Sequence, residues 1–158
     1  MKSDILQQNG SKTFIVVFDK GDEVLSGLTT FAKGRQLAGS HFTAVGALSD
    51  VTLGYFDQQT KSYKKIPLQE QVEVLSFVGN IAVAQGAPKV HAHIVVGRSD
   101  GTTRGGHFLE GHVWPTLEVV VEETPAHLQR RTDPETGLAL IDLQARRGLW
   151  PAERSRME

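Results

Sequence analysis

The stretch Val90-His91-Ala92-His93-Ile94-Val95-Val96-Gly97 is followed by Arg98-Ser99-Asp100-Gly101-Thr102 and then by Thr103-Arg104-Gly105-Gly106-His107-Phe108-Leu109. Along a strand successive side chains take opposite faces. His91 and His93 therefore share one face, and Val90, Ala92, Ile94 and Val96 share the other. The middle piece has turn chemistry, so the whole reads as a hairpin. Its register decides what the histidines can do. A two-residue turn at Asp100-Gly101 sets His107 opposite Ile94, on the wrong face. A three-residue loop, Ser99-Asp100-Gly101 with Gly101 left-handed, pairs Arg98 with Thr102 and sets His107 opposite His93. In that register the Cβ atoms of His93 and His107 lie about 5 Å apart, and His91 stands roughly 7 Å along the strand from His93. Three imidazoles so placed can meet one metal at about 2.0–2.1 Å per nitrogen. Gly105 shares their face and leaves room there. In the other register the same histidines are solvated or hydrogen-bonded strand residues.

Short strands continue on either side. Phe14-Ile15-Val16-Val17-Phe18 is apolar and extended, after a polar lead-in over residues 1–12. Asp22 is a candidate N-cap for the one convincing helix, residues 23–38, whose apolar positions fall at helical spacing and which Gly39 can stop. Strands follow over residues 41–48 and 51–57, joined by a tight turn at Ser49-Asp50, then over residues 62–68 and 72–79. The segment 80–89, broken by Gly86 and Pro88, reads either as a strand end or as a loop. Leu117-Glu118-Val119-Val120-Val121-Glu122 forms a strand after Pro115, and residues 138–143 form the last one. Short connections favour antiparallel pairing.

The 158 residues suit one domain. Hydrophobic residues at 39% and charged ones at 22% are ordinary for a globular chain. A net charge of −1 argues against a surface built wholly for nucleic acid. There are no cysteines, which removes disulfides, thiolate catalysis and cysteine zinc sites, so a metal must use His, Asp, Glu or water. No apolar run reaches membrane-span length, and residues 1–10 lack a signal-peptide core. No membrane association is expected, and a cytoplasmic location is.

The run from Gly39-Ser40-His41-Phe42 to Gly54-Tyr55-Phe56-Asp57, the run Glu73-Val74-Leu75-Ser76-Phe77-Val78-Gly79-Asn80, and the run from His91-Ala92-His93 to Gly105-Gly106-His107-Phe108-Leu109-Glu110-Gly111 together resemble the plants-and-prokaryotes conserved (PPC) domain. Order and spacing match over residues 13–143, with residues 1–12 and 144–158 as polar ends. The resemblance implies a single α/β domain of the α+β type, with a central, largely antiparallel sheet and flanking helices, assembled as a homotrimer. It also implies a divalent metal, commonly zinc, on His91, His93 and His107. Plant members carry the domain behind an AT-hook and act in transcription, and prokaryotic members are labelled DNA-binding by analogy. This sequence has no Arg-Gly-Arg-Pro; the nearest string is Arg146-Arg147-Gly148-Leu149. The plant partner-binding segment Gly-Arg-Phe-Glu-Ile-Leu is replaced by Glu70-Gln71-Val72-Glu73-Val74-Leu75. The DNA label then rests on fold analogy alone.

Other candidates are weighed beside these. Glu110 is the nearest acid in sequence and could serve as a general base toward the metal, or simply end a strand before Gly111. His112 could approach the site or be solvated, and solvation is favoured. His41 suits a cap or a subunit contact, and His127 an exposed position. The tail, residues 145–158, holds four arginines and two glutamates. It is either a solvated end or a weak anion or nucleic-acid contact. Two classes of function stay open: a trimeric regulatory or interaction module that works through partners or DNA, and a zinc-dependent enzyme or small-anion binding protein that uses the open metal position. A closed structural zinc site normally has four protein ligands, and three histidines leave one position free.

Overall fold

The computed structural model describes residues 1–144. Nine strands and one helix follow one another: β1 (Lys2–Asn9), β2 (Ser11–Phe18), α1 (Val24–Arg35), β3 (Gly39–Asp57), β4 (Ser62–Leu68), β5 (Val72–Ala84), β6 (Ala87–Gly97), β7 (Thr103–Glu123), β8 (Gln129–Thr132) and β9 (Ala139–Ile141). Strands take 65% of these residues and the helix 9%. The fold is therefore mainly β, and the expected α/β class of the α+β type with flanking helices is overturned. The physical reason lies in the chain itself. Among the described residues only α1 has apolar residues at helical spacing, with Val24, Leu28, Phe31 and Ala32 buried. Elsewhere burial alternates residue by residue, as strand geometry demands.

Two long strands organise the sheet. β3 and β7 pair antiparallel along most of their lengths, from Ser40↔Glu123 to Gly54↔His107. β5 pairs with β3 and β6, and β6 pairs with β7. The pairings β3–β5–β6–β7–β3 thus form a closed circuit. Register shifts at Ala44/Gly46, Val74/Ser76 and Thr52/Leu53 supply the bends that closure requires. β1 and β2 extend the sheet beyond β7, β4 pairs with β3, and β8 and β9 lie beyond β5, with β8 parallel to it.

Phe42, Phe77 and Phe108 form a chain of rings through the core, with centroid separations of 5.4 and 4.9 Å. Ala92, Ile94 and Val96 from β6 point into the same core. α1 adds Phe31, edge-on to Phe14 at 5.4 Å. Its N-cap is Glu23, whose carboxylate accepts from the backbone N–H groups of Leu25 and Ser26; Asp22 instead accepts from the N–H of Asp19. The helix ends at Gln36 in the left-handed region, ahead of Gly39.

Three local readings change. β3 runs unbroken through Ser49-Asp50, and β7 runs through Pro115, because each strand keeps its partner across the irregularity. Residues 80–89 resolve into the end of β5, a turn at Gln85-Gly86 and the start of β6. None of the helices among the described residues is long and apolar enough to cross a membrane.

Candidate metal centre

The hairpin takes the three-residue register. Gly97 pairs with Thr103, and the Arg98 N–H donates to the Thr102 carbonyl at 2.9 Å. Gly101 has φ of +79°, where a glycine has no steric penalty. Asp100 fixes the loop by accepting from the Thr102 N–H at 2.9 Å and from its hydroxyl at 2.6 Å. Arg98 anchors its base on Glu70 at 2.6 Å. His93 and His107 are consequently cross-strand partners.

Since Ala92, Ile94 and Phe108 are committed to the core, His91, His93 and His107 must stand on the opposite face. Their rings form a nearly equilateral triangle, with centroid separations of 5.3 Å (His91–His93), 5.2 Å (His91–His107) and 5.3 Å (His93–His107). One nitrogen from each can be chosen so that all three lie within 4.8 Å of one another. Three nitrogens around a tetrahedral zinc lie about 3.3 Å apart, given bonds of about 2.0–2.1 Å.

The surroundings favour neutral imidazoles. Burial pushes His107 down to about 4, with the positive charge potential of His91, His93 and Lys89 adding to the effect. Burial also lowers His91, helped by Arg130, His93 and Lys89. Tyr63 of β4 stacks on His107 at 4.7 Å between centroids and shields it. The Nδ1 of His107 is buried and has no hydrogen-bond partner. An imidazole nitrogen left in that condition fits a ligand to a cation better than a ring held by protein hydrogen bonds.

Glu110 and His112 are not brought to this triangle. Thr52 pairs with Glu110 and Leu53 with Phe108, so Leu109 is an extra residue in β7 and Glu110 is exposed. His112 holds Asp50 at 2.9 Å, and that hydrogen bond raises its pKa, with the charges of Asp50, Glu110 and Glu23 adding. These residues make a separate acidic corner. His41 lies 3.6 Å from Glu122 and is exposed. His127 is exposed as well. The tail arginines Arg146, Arg147, Arg154 and Arg156 lie outside the described residues.

Several neighbours of the triangle escaped the sequence reading. Lys89 could have been found, since it stands two residues before His91 and alternation puts it on the histidine face. Tyr63 and Arg130 could not. β4 and β8 bring them in through tertiary pairing alone.

The family model of the Plants and Prokaryotes Conserved (PCC) domain matches residues 6–125. A search of curated protein sequences gave no match. Among solved structures, a candidate DNA-binding protein from Bacteroides thetaiotaomicron is 28% identical, with a TM-score of 0.83 over 90% of this chain and 98% of that one. A metal-containing protein from Archaeoglobus fulgidus is 32% identical, with a TM-score of 0.77 over 83% of this chain and 93% of its own. A plant- and prokaryote-conserved (PPC) protein from Pyrococcus horikoshii is 30% identical, with a TM-score of 0.78 over 89% and 94%. With a family match across most of its length and neighbours of this similarity, the chain belongs to the plants-and-prokaryotes conserved domain family.

Proposed function

We propose that this chain is a metal-binding member of the family, in which His91, His93 and His107 hold one divalent ion, most naturally zinc, with a remaining position open to an exchangeable ligand. The observation that carries the proposal is the equilateral triangle of imidazoles at 5.2–5.3 Å. Its support is the lowered basicity of His91 and His107, which favours their neutral form, with one ring nitrogen available to a metal. The likeness to the metal-containing protein of Archaeoglobus fulgidus, at 32% identity, points the same way. Imidazole nitrogen prefers zinc, nickel or copper to calcium or magnesium. When bound, the ion supplies a Lewis-acidic position for an oxygen ligand.

The rest of the proposal concerns assembly and partners. Val45, Leu75, Val78 and Val95 are exposed apolar side chains on β3, β5 and β6, at 60%, 56%, 48% and 40% of full exposure. Val78 is the direct strand partner of His93, so this patch borders the triangle. Self-association into a homotrimer would cover it. The likeness to candidate DNA-binding proteins supports a DNA-associated regulatory role only weakly, since the net charge is −1. A cytoplasmic setting completes the reading.

Elemental analysis of protein purified without added metal tests it, with His93→Ala in parallel. The wild type should carry about one zinc-like ion per chain and the variant almost none. Equal metal content in the two would refute the assignment.

A further inference from the structure

Beside the histidines lies a second group of side chains with an unmet requirement. Arg130 of β8 donates to the Ala139 carbonyl at 2.7 Å and to Oδ1 of Asn80. Asn80 is the strand partner of His91. The Nε of Arg130 is buried and has no hydrogen-bond partner. Arg130 forms no ion pair among the described residues. Burial alone acts on this guanidinium, in the direction of a weaker acid–base grip on its proton. A half-buried guanidinium with an unpartnered Nε and no ion pair among the described residues is suited to receive an anion.

The space for one is present. Arg130 and Lys89 line a cavity of about 700 Å³ together with Lys33, Arg131 and Thr29. The acid on its wall, Asp142, lies 3.8 Å from Arg131. Lys89 shares the outward face of β6 with His91 and His93 and is exposed. The histidines do not themselves line this cavity; two links lead from its basic wall toward them, Lys89 along β6 and Arg130–Asn80 across β5. A guanidinium with free N–H groups matches the oxygens of a carboxylate or phosphate.

We propose that this cavity binds a small oxyanion, the carboxylate or phosphate group of a metabolite-sized molecule, which Arg130 and Lys89 hold beside the metal. The inference deepens the reading of the triangle as a metal centre and rests on it for the second half of the ligand. Arg130 and Lys89 fix the charged end, and an oxygen of the same molecule reaches the open metal position. Glu110 has no part in this site.

Calorimetric titration of inorganic phosphate and of malonate tests the idea, using zinc-loaded and metal-free protein, each as wild type, Arg130→Gln and Lys89→Gln. Cobalt-loaded protein adds a visible spectrum that reports an oxygen arriving on the metal. The expected result is that at least one probe binds and shifts the cobalt bands. Each variant should weaken that binding by about tenfold or more while metal content stays the same. The tighter of the two probes identifies the anion class. Lys89 is exposed, so Lys89→Gln keeps the test valid even if Arg130→Gln folds poorly. If the wild type takes up no metal but still binds a probe in an Arg130-dependent way, the anion site stands and the metal reading falls. Equal binding in wild type and both variants, or no binding of either probe at millimolar concentration, would overturn the proposal.

Discussion

Zinc binding at low pH should release fewer protons here than three ordinary histidines would. At pH 5.5 an imidazole with the usual pKa of about 6.5 is roughly 90% protonated, so three such ligands release about 2.7 protons when zinc binds. His107 lies at about 4 in this fold. At pH 5.5 it is then only about 3% protonated and releases almost nothing. The downward shift of His91 subtracts a further fraction. The total should fall below about two protons per zinc. Zinc titrated into metal-free protein at pH 5.5, in buffers of different ionisation enthalpy, gives the number directly. Tyr63→Ala supplies the control: removing the ring stacked on His107 at 4.7 Å wets the imidazole, raises its pKa and increases the proton count. The same shift sets the pH dependence of the metal-free fold. The folded value of His107 lies below the unfolded one, so its contribution is complete above about pH 6.5 and is lost as the pH falls toward about 4. A wild-type release close to 2.7 protons, unchanged in Tyr63→Ala, would refute the claim that burial favours the neutral form of His91 and His107.

Gly79→Ala should damage both fold and site, because its added Cβ would lie 2.4 Å from Cζ of Phe42 and 2.6 Å from the carbonyl oxygen of His91. Such overpacking costs about 1–3 kcal/mol, or roughly 2–4 °C of Tm per kcal/mol, and zinc affinity should fall with it; an unchanged melting curve would contradict the packing described. Val78→Glu should leave the monomer folded, since the side chain is 48% exposed, but dissociate the proposed trimer in sedimentation experiments. A wild type that is already monomeric would remove the trimer. Duplex DNA should bind weakly and without sequence preference, with a salt slope of about −0.9 per phosphate neutralised, and nanomolar selective binding at physiological salt would restore the DNA-contacting role.

The histidine hairpin was legible because all of its determinants are local. Alternation put His91 and His93 together, and Gly101 with Asp100 set the loop length that brought His107 opposite His93. The fold class was less legible. Ser49-Asp50 and Trp114-Pro115 look like strand ends in isolation, yet β3 and β7 hold each other through both places, and long-range pairing outweighs local turn chemistry. The helix caps shifted because Glu23 reaches its own first-turn amides as well as Asp22 could have done. Arg130 left no trace in sequence. Its relation to His91 passes through Asn80 and exists only once β8 lies along β5.

X-ray absorption at the zinc edge, on protein loaded with one equivalent of metal, tests the central claim most directly. Three imidazole nitrogens at about 2.0–2.1 Å should appear in the wild type, and two in His107→Ala. Fewer than three imidazoles in the wild type, or a spectrum unaltered by loss of His107, would contradict the claim that the β6–β7 hairpin is built around a metal ion.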